Sequence, residues 1–118
     1  FIAQNLALDG LLYPLVYQQL VDGALAARGA SAISMVTQFM GDWFDENAKW
    51  VDNVVRVAAA ESPANAALLA EWFGQWNARA AAALLPIIAP LLGTQADAAL
   101  SDAQGALARR NAKSGLAA

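Results

Sequence analysis

The chain contains no cysteine and no histidine. That excludes disulfides, thiolate chemistry, imidazole acid–base catalysis, Ser-His-Asp triads and the usual zinc sites together. Charge is scarce too: 14% of the 118 residues are Asp, Glu, Lys or Arg, against about a quarter in ordinary soluble domains. Seven basic residues against ten acidic ones give a net charge of −3 and a pI near 4.6. The basic footprint that nucleic acid demands is missing. No apolar run reaches the roughly 20 residues of a membrane span. The longest uncharged stretch, Ala80 to Ala96, carries Pro86 and Pro90. No cationic n-region or small-residue cleavage site opens the chain, so no signal peptide is read and a cytoplasmic protein without membrane insertion is expected.

What is present points one way. Hydrophobic residues make up 58%, alanine alone supplies 30, and Val, Ile and Thr together only 13. Ala and Leu favour helix, whereas β-branched residues favour strands. The expected class is all-α. So small and apolar a chain exposes much of its area, and its surface therefore needs partner surface to cover it. The first residue is Phe1 rather than Met and helical sequence begins at once, as in a piece of a longer polypeptide.

Punctuation divides residues 1–118, read as one helical domain fragment, into four helices. The first spans about Ile2 to Ala27, bent or interrupted at Pro14 and closed by Arg28-Gly29. Ser31 is the expected N-cap of the second, about Ala32 to Ala60. Ser62-Pro63 supplies an N-cap and a first-turn proline for the third, which should weaken at Pro86 and end near Pro90. After Gly93-Thr94 a weaker helix covers about Gln95 to Asn111, and the tail from Ser114 should fray.

The second helix is the best specified. At 100° per residue, Val36, Phe39, Trp43, Trp50, Val54 and Val57 share a stripe about 60° wide, which predicts a core or interface face. Trp72 and Trp76 on the third helix are read the same way. Tyr13 and Tyr17, on either side of Pro14, are packing residues or part of a subunit contact. At the edge of the stripe, Glu46-x-x-Lys49 has the i, i+3 spacing with which a Glu-x-x-His pair grips iron in bundle cores. Lysine offers an ammonium with no lone pair. An ion pair that replaces a metal clamp is therefore expected, with no catalytic, cofactor-binding or metal-ligating residue in this chain.

Several segments resemble a known family. They are Gln4-Asn5-Leu6-Ala7-Leu8-Asp9-Gly10-Leu11-Leu12-Tyr13-Pro14, Thr37-Gln38-Phe39-Met40-Gly41-Asp42-Trp43-Phe44, Lys49-Trp50-Val51-Asp52 and Ala83-Leu84-Leu85-Pro86. In this order they resemble the C-terminal third of the β subunit of soluble di-iron multicomponent monooxygenases, in the phenol and toluene hydroxylase group. The likeness runs over about residues 1–93 and is faint over 94–118. The resemblance implies part of a ferritin-like helical bundle within an (αβγ)₂ hydroxylase in which only α carries the di-iron centre. It makes Glu46 and Lys49 a degenerate counterpart of α's Glu-x-x-His and places the single-Glu ligand position among Asp9, Gly10, Leu11 and Leu12. The implied role is a non-catalytic scaffold in a complex that hydroxylates phenol- or toluene-like hydrocarbons with O₂ and NADH-derived electrons, partnered by α and γ. Two rivals of other classes are a free-standing bundle that holds an apolar ligand or partner helix among Trp43, Trp50, Trp72 and Trp76, and a small metalloenzyme built on Asp42, Glu46, Glu61 and Glu71. Membrane-surface association is disfavoured by the acidic pI.

Overall fold

Helix α1 (Ile2–Leu12) runs directly into a π-helical segment (Tyr13–Leu25), followed by α2 (Ser31–Glu61), α3 (Pro63–Leu92), a 3₁₀ turn (Gly93–Gln95) and α4 (Ala96–Lys113). This is a computed structural model that describes residues 1–116, and every regular element among them is helical. The all-α expectation holds.

The prolines behave differently from expectation. Pro14 changes the winding of the first helix without breaking it. A proline cannot donate to the carbonyl four residues back, and the wider i→i+5 pattern hands such acceptors to donors one position further along. Pro86 and Pro90 lie inside α3, which continues to Leu92. The carbonyls that they orphan belong to Ala82 and Pro86, both on the exposed side of the helix, where water can satisfy them. At the end of α3, Arg28 Nη2 donates to the Leu91 carbonyl at 3.0 Å, a cation at a helix C-terminus.

Caps fix the other boundaries. Ser62 Oγ accepts from the Asn65 amide at 3.1 Å, with Pro63 opening α3, as expected. Ser31 is not a cap; it is the first residue of α2, and Ala30 precedes it without a side-chain bond. Gly29, at φ +92°, closes the first helix with bonds from Gly29 N to Ala26 O and from Ala30 N to Leu25 O. Gly115, at φ +83°, repeats that paired arrangement, with Leu116 N bonded to Asn111 O at 2.9 Å. The tail is therefore fastened through Leu116, which is buried, where fraying was expected. Ala117 and Ala118 lie outside the described residues.

The core is made from one edge of each helix: Leu6, Leu11 and Leu15; Val51, Val55 and Ala59; Ala80, Leu84 and Ile88; Ala103 and Leu107. The i, i+4, i+8 spacing on α2 and α3 keeps each set on one side. α1 lies mainly along α3, and α4 crosses α1 where Gly10 admits Leu107. A Cβ at Gly10 would come within 2.6 Å of Leu107 Cδ1.

The result is elongated, 50 × 27 × 20 Å, with a radius of gyration of 15.1 Å against about 13.5 Å for a compact domain of this length. Its accessible surface is 6815 Å², where roughly 6100 Å² suffices for a compact monomer of this mass. The helical stretch Pro63–Lys113 includes a window apolar and long enough to cross a membrane by length and composition, of which 17% is buried.

Candidate subunit interface

Most of the exposed large apolar side chains lie on α2. Its buried residues are Phe44, Val51, Val55 and Ala59. The predicted stripe lies on the adjoining side of the helix and is open: Val36 is 72% exposed, Phe39 64%, Trp50 60%, with Trp43 and Val57 also exposed. Val54 is half-buried. Of the two environments expected for Phe39, Trp43 and Trp50, core or interface, the core of this chain is ruled out by their exposure. The helix has two apolar faces, and periodicity picked out the more strongly aromatic one without knowing which face the rest of this chain covers. From Val36 to Val57 the open face is about 32 Å long at 1.5 Å per residue. Trp72 is exposed on α3, and Trp76 is half-buried, with the Arg79 guanidinium 5.1 Å from its ring.

Beside the open face sits an aromatic cluster. Tyr13 is buried, Tyr17 half-buried, and their rings stack at 5.1 Å. Tyr13 also stacks on Phe44 at 4.8 Å and meets Trp43 at 5.9 Å. Burial first, and then the nearby Asp9 charge, push the Tyr13 hydroxyl above its ordinary pKa. Trp43 thus has one edge on the cluster and the rest in the open. Trp43 and Trp50 border a groove of about 280 Å³ with Phe1, Ile2 and Asn5 of the first helix. Trp72 borders a separate one with Leu68 and Leu69. The four tryptophans do not converge on one pocket, which removes the enclosed-ligand rival in the form expected.

Glu46 and Lys49 do pair. Lys49 Nζ donates to Glu46 Oε1 at 2.7 Å, with the side chains 71% and 76% exposed for Lys49 and Glu46. Contact with Glu46 raises the lysine pKa, so the ammonium is held more firmly charged. Neither residue enters the bundle of this chain. The α2 residues that face Asp9 are Phe44, Asn47, Ala48 and Val51, and they enclose with it a cavity of about 10 Å³ that also touches Asn5 and Arg110. Burial raises the Asp9 carboxyl above its usual range, partly offset by a hydrogen bond from Asn5.

Arg110 is a functional-looking residue that nothing in the local sequence singles out. Its Nη2 and Nε donate to Asp52 Oδ1 and Oδ2 at 2.7 and 3.1 Å, and its guanidinium lies 5.7 Å from the Phe44 ring. A bidentate fork of this kind ties α4 to α2. The two residues are 58 positions apart, and no local spacing could have announced the pair.

A carboxylate-bridged di-iron centre needs several inward carboxylates and two imidazoles. The residues here do not fit one: among the described residues no group of three or more Asp or Glu converges, Asp9 faces an amide and a guanidinium, and Glu46 is held by an ammonium. Glu61 and Glu71 accept hydrogen bonds from Asn65 and Gln75 one turn along. The carboxylate metalloenzyme rival thus lacks a convergent site in these residues.

The family model described as methane/phenol/alkene hydroxylase matches residues 1–62. The chain is 43% identical over 115 residues to DmpL, the oxygenase component of phenol 2-monooxygenase from Pseudomonas sp. (strain CF600). It is 40% identical over 116 residues to the corresponding component MhpL from Acinetobacter pittii (strain PHEA-2). Each alignment covers 98% of this chain and 34% of the relative, so the chain spans about a third of the length of the curated relatives it matches. No solved structure matches it.

Proposed function

The chain belongs to the methane/phenol/alkene hydroxylase family, and on that premise we propose that it is a non-catalytic structural part of the β subunit of a phenol-type multicomponent monooxygenase. Its partners are then the rest of its own subunit and the α and γ subunits, in an (αβγ)₂ hydroxylase located in the cytoplasm. The di-iron centre sits in α, and electrons reach it from NADH through separate proteins. This chain supplies helix faces that hold the iron-bearing bundle in place.

The observation that carries this reading is the open face of α2. Trp and other aromatics are the residues that anchor protein interfaces when buried, and each such ring covers on the order of 150–250 Å². Five large apolar side chains along one side of one helix are unusual for a monomer's surface. They are expected in a segment that makes up about a third of a larger subunit. The apolar surface of α3 is read as protein contact in the same way, since Ala80, Leu84 and Ile88 already belong to the core.

The test is assembly. Phe39→Asp and Trp50→Asp in the full-length subunit should abolish co-purification with the partner subunits and phenol hydroxylation together. The helical circular dichroism of the subunit should change little. Assembly that survives both substitutions, or hydroxylation of phenol by this chain unaided, contradicts the scaffold role.

A further inference from the structure

α1 opens without the signals that start a helix. Its N-cap residue is Phe1, which makes no side-chain bond, and its first turn holds no acidic residue. Ser, Thr, Asp or Asn is the stabilising choice there, as Ser62 is for α3. α2 also lacks a capping side chain, but the turn at Gly29, φ +92°, separates it from the helix before. Phe1 has no such stop. Its carbonyl already accepts from the Asn5 amide at 2.9 Å, so the helical hydrogen-bond pattern is in force from the first residue.

The direction of α1 fixes where a continuation runs. α1 packs against both α2 and α3 and is antiparallel to α2. Tyr13 stacks on Phe44, Asp9 shares a cavity with Asn47 and Ala48, and Ile2 borders a groove with Trp50 and Val51. Two further turns upstream, about 10 Å at 1.5 Å per residue, come level with Val57 and Ala58. At that level lies the groove of about 240 Å³ between α2 and α3, bordered by Ala58, Asn65, Leu68, Leu69 and Trp72. Leu68 and Trp72 are 41% and 44% exposed, and the residues that border the groove carry no charge.

We propose that the segment immediately upstream of Phe1 in the full-length subunit continues α1 as a helix and fills this groove, covering Leu68 and Trp72. This rests on the reading of the chain as the later part of a subunit of which it spans about a third. The occupant is a helix with apolar residues on the side that continues Ile2 and Leu6, which matches uncharged walls. A segment joined covalently to α1 also meets the groove at a far higher effective concentration than a separate subunit does. The hairpin end of α2 and α3 is then closed by the subunit's own chain, and Val36, Phe39 and Trp43 are left to the partner subunits.

The experiment uses the full-length subunit in its assembled hydroxylase. A photoreactive p-benzoylphenylalanine replaces Leu68 in one variant and Trp72 in another. On irradiation each should join to a peptide of the same polypeptide within about ten residues upstream of Phe1, some three helical turns, identified by mass spectrometry. A second measurement needs no variant. In a helix that starts at Ile2, the amides of Ile2, Ala3 and Gln4 have no carbonyl four residues back; in the continued helix each has one. Their hydrogen exchange in the full-length subunit should be slowed on the order of a hundredfold against an unstructured peptide. Exchange at the unstructured rate, or adducts with another subunit or with a distant part of the same one, overturns the proposal. Adducts with another subunit leave the scaffold role standing. Assembly that survives Phe39→Asp and Trp50→Asp removes the scaffold role and leaves this helix untouched, so the two failures are distinct.

Discussion

The two apolar faces of α2 are made from similar residues and have opposite surroundings. Phe44, Val51, Val55 and Ala59 are buried against the first helix and α3, while Val36, Phe39, Trp43, Trp50 and Val57 are exposed. The buried face has one ring, Phe44, beside Val51, Val55 and Ala59, whereas the open face has three, Phe39, Trp43 and Trp50. Hydrophobicity alone cannot tell them apart, because both repeat at the helical period. What separates them is what this chain has available to cover them, and a segment about a third as long as its relatives covers only one.

The comparison can be broken most severely in the core. Ile88 is fully buried and its neighbour Ile87 is 54% exposed. Ile88→Ala should cost about 2–5 kcal/mol in urea-unfolding stability, through lost transfer energy and the cavity left behind. Ile87→Ala should stay within about 0.5 kcal/mol. Similar losses at the two positions would mean that the inner and outer surfaces are wrongly assigned.

Next in size is the α1–α4 crossing. Gly10→Ala pushes a methyl group into Leu107, which is 1% exposed and has little room to yield, and should cost about 1–3 kcal/mol. Leu107→Ala in the same chain should recover part of the Gly10→Ala penalty. Additive losses in the double mutant would show that the two sites do not touch.

The Asp52–Arg110 fork comes third. Its side chains are 30% and 26% exposed, between the surface and buried limits for ion pairs. Arg110→Ala should therefore destabilise by about 1–2 kcal/mol and loosen α4 first, seen as faster amide exchange there.

The smallest effect is the pH dependence from Asp9. Its folded-state pKa is raised above the ordinary 3.8 by burial, so its ionised form is the costly one. That contribution to stability is fully present below the ordinary value and is lost as pH rises through the raised one. Asp9→Asn should remove this decline, leaving the variant relatively more stable than the parent near neutral pH than in acid. A parent and variant whose stabilities track one another across that range would contradict it.

Much of the fold was legible in sequence: four helices, the Ser62-Pro63 start, the Gly29 stop and the all-α class each rest on local chemistry that one segment carries by itself. Pro86 and Pro90 were misread because a proline's cost depends on whether the orphaned carbonyl meets water, and exposure is a tertiary property. The tail was misread because Leu116 is fixed by a core residue's burial as well as by Gly115. The Asp52–Arg110 fork was invisible for the same reason: it joins residues 58 positions apart in the chain. On α2, spacing placed Phe39, Trp43 and Trp50 on one face but could not say whether the rest of this chain covers it, and their exposure shows that it does not.

The decisive measurement is oxidative footprinting of individual tryptophans, read by mass spectrometry, in the 118-residue chain and in the assembled hydroxylase. Trp43 and Trp50 should be modified readily in the chain alone and be strongly protected in the assembly. Equal modification in the two states would show that nothing docks on the open face of α2, and the scaffold account would fail.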